Sequence, residues 1–208
     1  MKFNRFLLHI VIAPVSVLSL VACSSSDDDD GDAPVETEVP VDAEVPVEEP
    51  PAATDVLLFD EADGGDITND PNNPEFLQFI VGQNRINAAV VDPDLDYITV
   101  NVPAGSQLTA VEVTGYVSAD DRSFIAIQAG SVFTVLPENA QTEIGNLLGY
   151  SHFGVDDIGF DVLARMGTGQ GSQEFTPPLE AGDYTFWMQE TADDPVDFSL
   201  NFVVEAGN

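Results

Sequence analysis

The strongest constraint on this chain is a two-residue rhythm in its polarity. Between Val196 and Glu205, Phe198, Leu200, Phe202 and Val204 fall on one side of an extended backbone, while Ser199, Asn201, Val203 and Glu205 fall mostly on the other. Only a strand with one buried and one wetted face satisfies that pattern. Similar short runs, rich in β-branched and aromatic residues, recur at Phe76 to Val81, Arg85 to Val91, Tyr97 to Val102, Leu108 to Val117, Phe124 to Ala129, Val132 to Val135, Gln173 to Thr176 and Tyr184 to Glu190. Gly, Pro, Asn and Asp punctuate them, as in Pro103-Ala104-Gly105 and Glu180-Ala181-Gly182-Asp183. Thr142 to Leu148 and Asp156 to Met166 have room for a helical turn or two, each interrupted by glycine. The pattern predicts an all-β fold, a two-sheet antiparallel β-sandwich of jelly-roll-like form, over residues 55–208.

The residues before that region follow other rules. Lys2 and Arg5 precede an apolar run from Phe6 to Ala22, which stops at Cys23 ahead of three serines and four aspartates. This is the layout of an export signal, and the run is short for a membrane span of about 20 residues. Leu20-Val21-Ala22-Cys23 resembles the bacterial lipobox, in which cleavage before the cysteine leaves its thiol to carry lipid. Residues 1–22 are therefore expected to be a lipoprotein signal peptide and Cys23 the lipidation site. Ser24 is not the aspartate that retains lipoproteins in the inner membrane, so outer-membrane delivery is expected. Cys23 is the only cysteine, which leaves the folded region without an internal disulfide.

Residues 23–54 contain the near repeats Val35-Glu36-Thr37-Glu38-Val39-Pro40 and Val41-Asp42-Ala43-Glu44-Val45-Pro46 and no aromatic residue. Such a stretch buries too little apolar area to offset its ordering entropy, and it reads as a disordered acidic, proline-rich tether. Loss of residues 1–22 removes two of the five basic residues and none of the 37 acidic ones. Three arginines, Arg85, Arg122 and Arg165, then face 37 acids, a formal charge of −34. A surface of that sign repels phosphate backbones, which excludes nucleic acid as a partner. It suits a saline setting, divalent cations or simple solvation.

A series of short motifs adds to this reading. Glu61-Ala62-Asp63-Gly64-Gly65-Asp66-Ile67-Thr68-Asn69-Asp70 is followed by Gly82-Gln83-Asn84-Arg85-Ile86, Asp94-Leu95-Asp96-Tyr97, Val102-Pro103-Ala104-Gly105 and Ala181-Gly182-Asp183-Tyr184-Thr185-Phe186. In this order they resemble the bacterial pre-peptidase C-terminal domain, a β-sandwich carried by exported proteins, across nearly all of residues 56–205. The resemblance implies a non-catalytic module, and in collagen-binding relatives an acidic stretch and an aspartate pair hold calcium. Glu61, Asp63 and Asp66 match the first element, and Asp94 and Asp96 the second. Six to eight oxygens are within the means of two such loops, although the same residues also serve as ordinary turn formers. The segment from Leu147 to Gly169 exceeds the family pattern and is expected to be a decorated connection of the kind that carries function.

Catalytic patterns are weak by comparison. Ser151 and His152 are adjacent on an extended segment, so their side chains diverge, and no Gly-x-Ser-x-Gly elbow occurs. His152 is the sole histidine after residue 22 and cannot build a multi-histidine zinc site. Gly167-Thr168-Gly169-Gln170-Gly171 lacks the Lys-Ser or Lys-Thr of a phosphate-binding loop. Glu174, Glu180 and Glu190 remain as carboxylates for a glycosidase-like pair. Among the aromatics, Tyr184 and Phe186 share one face of their strand and Trp187 takes the other, so core filling and sugar stacking both stay open for them. Tyr150, His152 and Trp187 are the candidate ligand-binding residues. The expected protein is a monomeric, lipid-anchored envelope module without catalytic residues, calcium-stabilised and binding an extracellular polysaccharide or protein. The alternatives are an accessory structural protein working through a protein partner and, more remotely, a carboxylate-based hydrolase.

Overall fold

The alternating segments assemble into two packed sheets in the structure, a computed structural model that describes residues 55–207. The strands are β1 (Asp55–Asp60), β2 (Glu75–Gln78), β3 (Gly82–Val90), β4 (Asp96–Val102), β5 (Ser106–Val117), β6 (Ser123–Ala129), β7 (Gly149–Phe153), β8 (Gly182–Glu190) and β9 (Val196–Ala206). Two single helical turns, α1 (Glu61–Gly64) and α2 (Leu163–Met166), complete the set together with 3-10 turns at Pro137–Asn139, Ile144–Asn146 and Val155–Asp157. One sheet has the order β1-β3-β9-β5, the other β2-β4-β8-β6-β7. The expected all-β sandwich is therefore present. The expected signal peptide, the expected lipidation site Cys23 and the expected tether lie outside the described residues.

Strict antiparallel pairing does not hold at two edges. β1 runs parallel to β3, and β2 runs parallel to β4. The chain passes from β1 in one sheet to β2 in the other and back to β3, and a strand that returns after such a crossover arrives in its original direction. The remaining strand pairs are antiparallel.

Between the sheets, Ile86, Ala88 and Val90 of β3 and Phe198, Leu200, Phe202 and Val204 of β9 meet Ile98, Val100 and Val102 of β4 and Phe186 and Met188 of β8. Each set occupies alternate positions, as the two-residue rhythm requires. β5 breaks step twice, at Leu108/Ala110 and Val113/Gly115, which is why its inward residues are Leu108, Val111, Val113 and Tyr116. Its free edge is sealed by irregular chain: Val113 donates to the Phe160 carbonyl at 3.1 Å, Val162 to the Val111 carbonyl at 2.8 Å, and Asp161 Oδ1 accepts from the Val111 amide at 2.9 Å.

A second, smaller core lies on the outer face of β4, β6 and β8. There Tyr97, Ala126 and Trp187 are covered by Phe133, Val135 and Leu147 from the chain between β6 and β7. That cover explains why Val132 to Val135 is not a strand. The Phe133 amide is taken by the Pro71 carbonyl at 2.8 Å and the Thr134 amide by Gln128 Oε1 at 2.8 Å, so neither enters a ladder. Gln173 to Thr176 is irregular for a similar reason, with Gln173 donating to Leu147 and Phe175 to Gly167. β7, in contrast, forms from residues with little strand signal. Gly149 sits against the Met166 carbonyl and Gly154, just beyond β7, against the Asp121 carbonyl, approaches that leave no room for a Cβ.

Candidate functional site

At one end of the sandwich the turn after β1 meets the turn before β4. Asp60 caps α1 by accepting from the Ala62 amide at 3.0 Å, and its other oxygen accepts from Asn87 Nδ2 at 2.8 Å. This fixes Glu61, the first residue of α1, so that its carboxylate turns inward and accepts from the amides of Ile67 (2.7 Å) and Ala89 (2.5 Å). Ile67 is fully buried and anchors the following loop. The loop is stitched to the β4 entrance by Tyr97 N–H donating to the Thr68 carbonyl at 3.1 Å and by the Leu95 amide donating to Asn69 Oδ1 at 2.5 Å.

Asp96 completes the arrangement. It occupies an inward position of β4, in phase with Ile98, Val100 and Val102, and is fully buried. Neither of its carboxylate oxygens has a hydrogen-bond partner. One oxygen each from Glu61, Asp66 and Asp96 lie within 4.8 Å of one another. Burial, and after it the charges of Glu61, Asp94 and Asp66, push the Asp96 carboxyl up to about 9. Burial likewise raises Glu61 and Asp94, against the opposing pull of the amides that bond Glu61 and of Asn69 beside Asp94. Among the described residues no basic side chain is at hand to balance these charges. The three arginines there pair elsewhere, Arg85 with Asp55 (3.8 Å), Arg122 with Asp121 (3.7 Å) and Arg165 with Asp157 (2.8 Å).

The donor set fits a hard dication. Oxygens on opposite sides of a calcium ion, each at about 2.4 Å, stand about 4.8 Å apart, and a cage of several protein carboxylates suits calcium better than the more water-bound magnesium. Asp66 is exposed and opens the cluster to solvent. Of the five acids singled out by sequence, the structure brings Glu61, Asp66 and Asp96 together and sets Asp94 beside them. Asp63 points to solvent from α1 and is not in the group.

The other candidate residues gather around β7. Tyr150 and His152 lie on its outer side, with Phe124 of β6 between them at ring separations of 6.0 and 5.7 Å. The Tyr150 hydroxyl donates to the Gln170 carbonyl at 2.9 Å. Next to His152 a cavity of about 460 Å³ is lined by Asp121, Arg122, Ser151, Asp156, Asp157 and Arg165. Arg165 holds its wall in place, donating to Ser151 Oγ (2.8 Å), Asp157 Oδ1 (2.8 Å) and the His152 carbonyl (2.6 Å). Burial, then Arg122 and Arg165, lower the His152 pKa and keep the imidazole neutral near neutral pH. Trp187, expected as a surface aromatic, is instead only 2% exposed in the second core, where it stacks on Tyr97 at 6.2 Å and meets Phe124 edge-on at 4.9 Å. It presents no face for a sugar ring.

The Ser151–His152 pair and the Glu180–Glu190 pair weighed from sequence do not assemble. The Ser151 hydroxyl donates to the His152 carbonyl and accepts from Arg165, while the His152 side chain lies on the opposite face of β7. Glu180 lies just before β8 and Glu190 ends it, a strand of nine residues that spans roughly 25 Å, far beyond the spacing of a glycosidase pair. Among the described residues no helix is long and apolar enough to cross a membrane. No protein family matches the chain, and no curated protein matches it.

Proposed function

We propose that this chain is a calcium-stabilised, non-catalytic binding module of the bacterial envelope, held by a lipid on Cys23 and engaging an extracellular polymer. The observation that carries the cation part is Asp96. A fully buried carboxylate with both oxygens unbonded costs several kcal/mol unless a proton or a metal meets it, and two further carboxylates converge on the same point. The acidic loop pattern that resembles the pre-peptidase C-terminal domain supports the same ion. The lipobox-like run Leu20-Val21-Ala22-Cys23 supports the anchor, and Ser24 in place of aspartate favours outer-membrane delivery in a cell with two membranes.

For the polymer, the cavity beside β7 is the favoured seat. Its donors and acceptors, Arg122, Arg165, Asp156 and Asp157, beside the His152 imidazole that leads on to the rings of Phe124 and Tyr150 outside the cavity, suit the vicinal hydroxyls of sugars. A protein partner is the second reading, favoured by a different observation. Val155, Ile158 and Phe160 are all exposed on the segment that seals the β5 edge, and Phe160 is 64% exposed.

Unfolding of the protein followed with calcium against chelator tests the cation. A calcium-dependent rise in Tm that disappears in Asp96→Asn supports the site, and no rise at millimolar calcium removes it. Co-sedimentation with insoluble polysaccharides then separates the binding readings. Loss of binding in Tyr150→Ala favours sugar, whereas binding to no glycan combined with a partner lost in Phe160→Ser favours protein.

A further inference from the structure

The second core covers the outer face of one sheet. On the other, the outer face of β3, β9 and β5 is hollowed into a groove of about 450 Å³ beside α1. Strand register builds its floor from two rows. Asn87, Ser199 and Gly115 stand side by side across the three strands, and Ala89, Asp197 and Val117 form the next row. Small residues keep the floor low, and a Cβ on Gly115 would stand 3.2 Å from Ser199 Oγ. One wall is α1 with Asp60 and the exposed Ala62, and the other is Val117, 69% exposed. Strands about 4.8 Å apart put roughly 10 Å between β3 and β5, room for one long side chain.

The polar groups along this groove are turned one way. Ser199 donates its hydroxyl to Asn87 Oδ1 at 2.8 Å, and Asn87 Nδ2 donates to Asp60 Oδ2 at 2.8 Å. The relay commits a hydroxyl proton and an amide N–H and ends on a carboxylate. Asp197, in the middle of the second row, is exposed, and the three arginines of the described residues pair with other acids. Every ionisable side chain that lines the groove in its charged form, Asp60, Glu61 or Asp197, is an acid. A sugar hydroxyl asks for a donor and an acceptor together. An ammonium or guanidinium asks only for acceptors, and its aliphatic stem asks for apolar surface beneath it.

We propose that this groove receives a lysine or arginine side chain of a partner protein, with its stem against Val117 and Gly115 and its charge held by Asp197 and Asp60. The surface is separate from the cavity beside β7 and from the segment that carries Phe160. It shares only Glu61 with the acidic cluster, and that carboxylate is turned inward onto the Ile67 and Ala89 amides. The acidity of the chain draws a basic partner in, and the groove fixes where it docks.

Amide NMR of the full chain, titrated at physiological ionic strength with the capped peptide Gly-Ser-Lys-Ser-Gly, tests this. Saturable shifts are expected at Ala89, Gly115, Val117 and Ser199, with arginine in place of lysine giving the same set and norleucine giving none. Asp197→Asn is expected to weaken the response about fivefold. Val117→Lys is expected to abolish it, because residue 117 lies directly across from Asp197 and its own ammonium takes the place of the ligand. Both substitutions change exposed side chains, and a Tm no lower than that of the unaltered chain verifies folding. Asp193→Asn, an exposed acid in the turn before β9, is expected to change nothing. The proposal is overturned if the lysine peptide gives no saturable shift in the groove, or if norleucine gives an equal one, which leaves an apolar dent without charge recognition. Equal weakening in Asp193→Asn also overturns it and assigns the binding to the diffuse acidic field. Asp96→Asn is expected to keep the response, so failure of the calcium site is distinguishable from failure of the groove.

Discussion

The acidic cluster at Glu61, Asp66 and Asp96 and the polar cavity at His152 and Arg165 are both built from polar side chains drawn from strands, helical turns and loops, yet their bookkeeping is opposite. In the cavity the central charges, Arg165 and Asp157, answer each other. Arg165 meets Asp157, Ser151 and the His152 carbonyl, Asp157 also accepts from the Gly154 amide at 3.0 Å, and the imidazole is neutral. In the cluster three carboxylates converge, and the most buried of them has no partner at all. A satisfied network explains itself as architecture and offers a ligand only its outward-facing groups. An unsatisfied buried charge calls for a particle absent from the chain.

Four measurements test that contrast. The largest effect is expected at the cluster: calcium at about a hundredfold excess over its Kd adds about 2.7 kcal/mol, which for a domain of this size raises Tm by about 5 to 10 °C, and Asp96→Asn abolishes the rise. A comparable rise in that variant would move the ion elsewhere. Next comes the pH response of the metal-stripped protein. The folded-state value of Asp96, about 9, lies above its ordinary 3.8, so the folded chain keeps a proton that the unfolded chain gives up. That contribution is complete below about pH 4 and is lost as pH rises through about 9, so Tm falls along this range more steeply than in Asp96→Asn. Calcium affinity rises over the same range because the ion replaces the proton.

Smaller effects belong to the cavity and to the segment along the β5 edge. Arg165→Ala removes three hydrogen bonds from a half-exposed position and is expected to cost about 1 to 2 kcal/mol in denaturant unfolding, without altering the calcium response. A lost calcium response would mean that the two regions are coupled. Phe160→Ser is expected to change stability by less than about 0.5 kcal/mol, since the ring is largely in solvent. A larger cost would show that the ring packs against something in solution.

Much of this was legible in the chain. The phase of Tyr97 to Val102 places Ile98, Val100 and Val102 inward, and one step back along the same phase lies Asp96, so its burial can be read from period two alone. The same rule exposes Glu190, two residues after Met188, although the sequence reading grouped it with Glu174 and Glu180 as a possible pair. Asp63 and Trp187 show where pattern fails. Asp63 belongs to an acidic stretch but faces outward on a one-turn helix, because the side chains of a single turn fan out in several directions. Trp187 occupies an outer position of β8, yet the chain from Phe133 to Leu147 folds back over it. β1 and β7 went unread because a short edge strand needs little alternation of its own when a neighbour supplies its ladder.

By itself the sequence determined the strand phases, the all-β class, the acidic balance and the acidic loop residues, because these depend on local periodicity and composition. Only the tertiary structure decided which strands run parallel, that a second core shelters Trp187, and that neither carboxylate oxygen of Asp96 has a partner. Those outcomes depend on which distant segments come to lie against each other, and hydrogen-bond satisfaction is a property of the assembled whole.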